Sequence, residues 1–196
     1  MENTTYILHD KDIREPLFDF LEETFGKVRI LEEKTMGRSR ADIVMVLENA
    51  VAGIEIKSDA DTYTRLSRQV SDYDRYFDYN YVVVGTSHAM HIEEHVPDHW
   101  GIITVEYPHG QDGTAEDALD FYILRKAKPN GKRDMKRKLA ILWREELVHI
   151  LQSNGLPKYS NKNKAYLRTL LCDRVPEAVL DRQVSEELFE REYRGV

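Results

Sequence analysis

The chain of 196 residues is nearly devoid of cysteine, and Cys172 stands alone. A single thiol excludes an internal disulfide, and the four cysteines of a structural zinc site are missing as well. No stretch approaches the roughly 20 apolar residues that a membrane span requires. Met1-Glu2-Asn3-Thr4-Thr5 lacks the basic start and apolar run of a signal peptide. The expectation is a soluble, cytoplasmic protein with no membrane partner. Internal repeats and low-complexity tracts are absent too. Gly110-Gln111-Asp112-Gly113 reads as a loop, without the following Gly-Lys-Ser/Thr that cradles a phosphate.

Positive charge is outweighed overall, 28 Lys and Arg against 35 Asp and Glu, for a net charge of −7. It is concentrated in one place. Between Arg125 and Lys138 lie eight basic residues (Arg125, Lys126, Lys128, Lys132, Arg133, Lys136, Arg137 and Lys138) and one acid, Asp134, a local balance of +7 against −14 elsewhere. A basic segment on an acidic body suits phosphate contact, because the local field matters more than the total. A solvated hinge explains the same run equally well.

What is present is a pattern of alternating elements. Asp12 and Glu15 have the spacing of a capping box, and Ile13, Leu17 and Leu21 recur every four residues, so residues 13–25 read as a helix that Gly26 ends. Pro16 falls in its first turns, where a missing N–H is tolerated. Residues 28–31, 42–47 and 51–57 read as strands, the last two forming a hairpin around Glu48-Asn49-Ala50. Residues 61–77 are helical, with Leu66, Val70, Tyr73 and Phe77 on one stripe. The apolar run Tyr81–Val84 suits a strand buried on both faces, a short helix covers 90–96, and a strand covers 101–105. This order implies a mixed sheet flanked by helices over residues 1–125. A basic linker at 126–138, with Pro129-Asn130-Gly131, then leads to a small C-terminal α-helical module at 139–196, helical over about 139–151, 162–172 and 177–192.

One constellation carries chemistry. Strand side chains alternate, so Asp42 shares a face with Val44 and Val46, and Glu55 shares one with Lys57 while Ile54 and Ile56 point away. A carboxylate and an ammonium two residues apart on an apolar strand put charge where a core or cleft belongs, which is costly unless something pairs them. A divalent metal held by Asp42 and Glu55, with the Ile56 carbonyl as a third ligand, would satisfy the carboxylates. Mg²⁺ accepts such a sparse set of hard oxygens, lowers the pKa of bound water, and would leave Lys57 to orient the nucleophile.

The Asp42…Glu55-Ile56-Lys57 core resembles the PD-(D/E)XK nuclease superfamily, with Ala41 in place of the proline. Gln69 and Tyr73 form a Q-x-x-x-Y pattern similar to that of RecB-like exonucleases, on one helix face at i, i+4. The likeness extends to a bacterial and phage family with segments similar to Asp12-Ile13-Arg14, Arg40-Ala41-Asp42-Ile43, Glu55-Ile56-Lys57-Ser58-Asp59, Asp61-Thr62, Arg65-Leu66, Val82-Val83-Val84-Gly85, Pro97-Asp98, Trp100-Gly101 and Trp143-Arg144-Glu145-Glu146-Leu147. The resemblance implies a restriction-endonuclease-like α/β fold and a Mg²⁺- or Mn²⁺-dependent nuclease, a hydrolase cutting phosphodiester bonds of DNA. It assigns Asp42, Glu55, Lys57, Gln69 and Tyr73 to catalysis and adds Glu32 or, by preference, Glu33 as a further acidic metal ligand.

Other readings stay in view. Arg65 and Arg68 serve either as phosphate contacts or as a solvated helix face. His91-Ile92-Glu93-Glu94-His95 matches the H-x-x-E-H zinc pattern of inverted-zincin peptidases, but Pro97 ends the segment almost at once. Cys172 has no histidine partner in the sequence and reads as a core residue of the helical module. The alternative to the nuclease is a non-catalytic nuclease-fold protein that binds nucleic acid or a partner. The sequence leaves the oligomeric state open, a homodimer among the possibilities.

Overall fold

The structure is a computed structural model that describes residues 8–58, 61–106 and 119–192. Helix α1 (Asp10–Phe25) precedes three antiparallel strands, β1 (Arg29–Met36), β2 (Ser39–Leu47) and β3 (Ala50–Lys57). A 3-10 turn (Tyr63–Arg65) opens α2 (Leu66–Tyr76), which crosses to β4 (Tyr79–Gly85), parallel to β3. The short α3 (Thr86–Ala89) and a 3-10 turn (Ile92–Glu94) lead to β5 (Gly101–Glu106), again parallel, and β6 (Asp120–Arg125) closes the sheet antiparallel. The strands lie in sequence order, β1-β2-β3-β4-β5-β6. Four helices follow: α4 (Met135–Lys138), α5 (Arg144–Ser153), α6 (Lys164–Arg174) and α7 (Glu177–Glu190). A mixed sheet flanked by helices with a helical C-terminal region is therefore present, and β6 adds a strand that the sequence pattern did not signal. The Gly110–Gly113 loop, the Met1–Thr5 terminus and Asp59 lie outside the described residues.

Period-two alternation divides the apolar side chains between the two faces of the sheet. On one face Ile43, Met45, Ala52, Ile54, Ile56, Val83 and Ile103 pack under Ile13, Leu17 and Leu21 of α1. On the other, Val44, Val46, Val51, Val82, Val84 and Ile102 meet Leu66, Tyr73 and Phe77 around α2, and the same cluster takes in Leu147, Leu151, Leu171, Leu180, Val184 and Leu188 of the later helices. Gly53 permits the close approach of α2, since a Cβ there would stand 2.2 Å from the Phe77 ring. The capping of α1 differs in register from the expectation. His9 is the N-cap, and Asp12, three residues on, accepts from the His9 N–H at 3.1 Å.

Part of the basic run is spent on pairing within the molecule, while five of its eight cations stay exposed. Lys138 is fully buried and holds Asp78 at 2.6 Å and Asp181 at 2.7 Å. Arg133 reaches Asp78 (2.7 Å), Asp181 (3.1 Å) and Glu177 (2.5 Å), so two cations bind the end of α2 to α7. Lys132 meets Asp74 at 3.1 Å, and Arg125 donates to the carbonyls of Trp100 and Pro97. Asn130, in the Pro-Asn-Gly stretch, donates to the carbonyls of Asp74 and Phe77, satisfying groups that the end of α2 leaves open. Buried Asp74 also accepts from Asn80, His99 and Trp100. Neither a solvated hinge nor a phosphate-binding strip describes residues 125–138 as a whole. Carboxylates remote in sequence neutralise three of its eight cations, Lys132, Arg133 and Lys138.

Removing one member of a buried ion pair leaves the other charge desolvated, at a cost of about 3–5 kcal/mol. Lys138→Met is therefore expected to lower unfolding stability by roughly 3 kcal/mol in a urea titration, whereas the same change at exposed Lys128 has an effect within about 0.5 kcal/mol.

Candidate functional site

The strand alternation places Glu55 and Lys57 on the α2 side of the sheet, with only 1% and 4% of their surfaces exposed. Burial this deep demands partners, and they are present. Lys57 Nζ lies 2.7 Å from Glu55 Oε1, and the Gln69 amide donates to the same oxygen. Tyr73 Oη donates to Glu55 Oε2 at 2.8 Å and accepts from the Asp42 N–H at 3.3 Å. The i, i+4 spacing on α2 thus brings Gln69 and Tyr73 together over Glu55, as their shared helix face predicts. Gln69 Oε1 has no hydrogen-bond partner among the described residues.

Asp42 closes the group from β2. Its Oδ2 accepts from the Ile56 N–H at 2.9 Å, and Arg14 of α1 stands 3.7 Å from its Oδ1 and donates to its carbonyl at 3.4 Å. Arg14 is held in turn by Asp10 at 2.7 Å and Glu32 at 3.4 Å. Sequence reading did not single out Arg14 for this role, because its partner lies 28 residues away on another element. Burial and the neighbouring Glu55 charge push the Asp42 carboxyl up to about 7, against the opposing pull of the Ile56 N–H and Arg14. Burial and the same carboxylates hold the Tyr73 phenol well above its ordinary range, so it stays a donor.

Glu33 does not join. It is the single non-glycine residue with positive φ (53°) among the described residues, and it falls at an irregularity where the β1–β2 pairing passes from Glu32 to Lys34. Its exposed carboxylate pairs with Arg40 at 3.1 Å. The His91–His95 segment fails as a zinc site because a 3-10 turn replaces the helix that would align the two rings. His91 faces Glu94 at 3.6 Å, while His95 lies against Tyr63 with ring centroids 4.2 Å apart. Cys172 is half-buried against the C-terminal helices, and burial pushes its thiol up.

Among the described residues, no group of three or more His, Cys, Asp or Glu side chains could hold a metal ion. The expected Mg²⁺ or Mn²⁺ set of Asp42, Glu55, Glu33 and the Ile56 carbonyl is corrected on that ground. The physical reason is saturation: the Glu55 oxygens are taken by Lys57, Gln69 and Tyr73, one Asp42 oxygen is taken by a backbone N–H, and Glu33 points elsewhere. The arrangement can hold a proton on Asp42 near neutrality and lock α2 to the sheet.

A second feature lies on the outer side of the same helix. Arg65, Arg68 and Arg75 are exposed at spacings that align them along α2. Arg38 flanks them in the β1–β2 turn, where neighbouring Gly37 lies against Asp72. From α4, exposed Lys136 and Arg137 join, the Arg137 guanidinium lying 5.9 Å from the Tyr76 ring and the Asp134 N–H bonding the Arg75 carbonyl at 3.0 Å. The acids in this ridge are occupied: Asp72 accepts from Ser39 Oγ at 2.6 Å, and Asp134 caps α4. The sequence offers Arg65 and Arg68, and Lys136 and Arg137 as part of the basic run, as candidate phosphate contacts, but not Arg38 or Arg75.

A family model described as Bacteriophage P4 protein cII matches residues 4–194, nearly the whole chain. Comparisons with curated proteins and with solved structures return no match. The family match overturns the assignment to the PD-(D/E)XK nucleases, and with the missing metal-ligand group it overturns the reading as a metal-dependent nuclease, hydrolase and enzyme.

Because the folded-state pKa of Asp42 is raised above the unfolded value of about 4, the folded chain holds a proton that the unfolded chain has released. This contribution is fully present below about pH 4, declines as pH rises, and is lost above about 7. Asp42→Asn keeps an acceptor for the Ile56 N–H and removes the titration. Its stability relative to the unsubstituted protein is expected to rise by about 1–3 kcal/mol between pH 5 and pH 8, read from urea unfolding at each pH.

Proposed function

Because the chain belongs to the Bacteriophage P4 protein cII family, we propose that it is a non-catalytic nucleic-acid-binding protein on a restriction-endonuclease-like sheet, contacting duplex DNA through the α2–α4 ridge. The observation that carries this reading is the state of the ridge cations. None of Arg38, Arg65, Arg68, Arg75 and Lys136 ion-pairs with a carboxylate among the described residues, whereas the neighbouring Lys132, Arg133 and Lys138 all do. In an acidic protein, several unpaired guanidinium groups on one rigid surface form a local positive field that favours phosphate.

The ridge from Arg65 to Arg75 spans about 15 Å of helix, or about four base-pair rises of duplex. The nuclease-like sheet supports the reading in a different way. An antiparallel β1–β2–β3 unit followed by parallel β4, with α2 crossing between β3 and β4, mounts the ridge helix directly on the buried Glu55 cluster. In this reading Glu55, Lys57, Gln69 and Tyr73 are positioning residues: they fix the inner face of α2 so that its outer face presents the arginines. Phosphate contacts supply affinity without sequence information, so weak sequence preference goes with this mode of binding.

The test is anisotropy of a fluorescent duplex titrated with protein over a range of salt. Arg65→Glu with Arg68→Glu is expected to weaken binding at least tenfold and to reduce the slope of log affinity against log salt by about 2, roughly 0.9 for each lost phosphate contact. Unchanged affinity in the double variant would sink the proposal. So would Mg²⁺-dependent strand cleavage that disappears in Glu55→Gln.

A further inference from the structure

Positive charge gathers a second time in the C-terminal helices. From Asn154 to Cys172 the chain carries Lys158, Lys162, Lys164 and Arg168 and not one acid. None of the four ion-pairs with a carboxylate among the described residues. Lys164 and Arg168 stand four residues apart on one flank of α6, both half-buried. Lys164 Nζ reaches the Ala140 carbonyl at 3.5 Å, and Arg168 Nε is buried with no hydrogen-bond partner among the described residues. Of the two acids that act on Lys164, Glu146 is committed to Arg191 at 2.6 Å and to the Trp143 N–H at 2.5 Å, and Glu145 is exposed. Burial and the Arg168 charge hold the Lys164 ammonium below its ordinary value. Like charges at i, i+4 destabilise a helix, and half-burial sharpens the repulsion by removing water. The free protein therefore keeps this pair at a cost that an anion between the two would relieve.

The position of the pair says which anion. Helix α6 runs antiparallel along α4 and the 3-10 turn Leu139–Ile141 that follows it. At one end Lys164 touches Ala140 of that turn. At the other, the charges of Lys136 and Asp134 act on the thiol of Cys172, which lies on the Arg168 flank one turn further on. Arg168 thus falls between Ala140 and Lys136, beside the outermost cations of the ridge. We infer that Lys164 and Arg168 are a phosphate-binding pair that carries the α2–α4 ridge onto α6 and takes a further backbone phosphate of the same duplex. This inference rests on the nucleic-acid reading above and extends it to the C-terminal helices. By turning its Nε edge outward, the Arg168 fork can give two parallel hydrogen bonds to phosphate oxygens, and Lys164 adds a point charge beside them. The helical module would then be part of the binding surface as well as a cover for the sheet.

Anisotropy of a fluorescent duplex, titrated over a range of salt, is read for three full-length proteins: the unsubstituted chain, Lys164→Met with Arg168→Met, and the ridge variant Arg65→Glu with Arg68→Glu. The α6 variant is expected to bind about five- to tenfold more weakly, with the slope of log affinity against log salt smaller by about 1 for the one phosphate lost. Its thermal melt is expected to stay the same or rise, because neutral side chains replace a repelling pair. Weaker binding by a protein that is no less stable is what a ligand site gives and a structural ion cluster does not. Unchanged affinity and slope in the α6 variant, with both reduced in the ridge variant, overturn this inference and leave the ridge standing. The reverse outcome keeps the α6 pair and removes the ridge, and a protein with no affinity for duplex overturns both. A melting temperature that falls by several degrees in the α6 variant makes the pair structural and overturns the inference. Calorimetric titration with inorganic phosphate is the last arm: micromolar affinity that the α6 variant loses would mark a free-anion site in place of a backbone contact and would overturn it too.

Discussion

The placement of one charge organises this molecule. Glu55 sits on a central strand at 1% exposure, and an isolated carboxylate there would cost several kcal/mol. The fold answers with three donors from two elements, Lys57 from the same strand and Gln69 and Tyr73 from α2. Gly53 makes room for the helix to come that close. Because the Tyr73 hydroxyl also meets the Asp42 backbone, and Arg14 meets Asp42 in turn, the requirement to neutralise one carboxylate fixes α1, β2, β3 and α2 relative to each other.

The same arithmetic operates a second time at the far end of α2. Asp74 and Asp78 are neutralised by Lys132, Arg133 and Lys138, and Arg133 and Lys138 reach on to Asp181 of α7. Helix α2 is therefore pinned by buried polar networks at both ends. What it leaves outward is a rigid row of arginines, and rigidity matters for a surface that meets a regular polyanion.

The sequence made the inner face of this design legible because strands and helices have fixed periods. Alternation in Ile54-Glu55-Ile56-Lys57 predicted two charges in the interior, and i, i+4 spacing predicted Gln69 beside Tyr73. It did not reveal what would satisfy the charges. A carboxylate pair awaiting a metal and one answered by protein donors have the same spacing, and only the oxygen partners tell them apart. Arg14 escaped notice because its contact is non-local, and Glu33, which only the family resemblance had put forward, has positive φ and turns its carboxylate to Arg40. The basic run misled for a related reason: a charge count along the chain cannot see Asp78 or Asp181 across space. Strand β6 was hidden because its six residues adjoin that run without a clear turn signal.

The order in which the chain supplies its cores has a consequence for synthesis. The strands are complete by Arg125, yet the α2 side of the sheet also depends on Leu180, Val184 and Leu188 of α7, and Ser185 reaches back to the Ala50 carbonyl across 135 residues. A ribosome releasing the chain N-terminus first leaves the Val44–Val46 and Val82–Val84 surfaces covered by α2 but not by the C-terminal helices until these emerge. Loop-closure entropy must be met late and over a long span, which favours slow completion over early local collapse. The emerging sheet therefore waits for the C-terminal helices with one apolar side only partly covered, and such exposed surface is what chaperones bind.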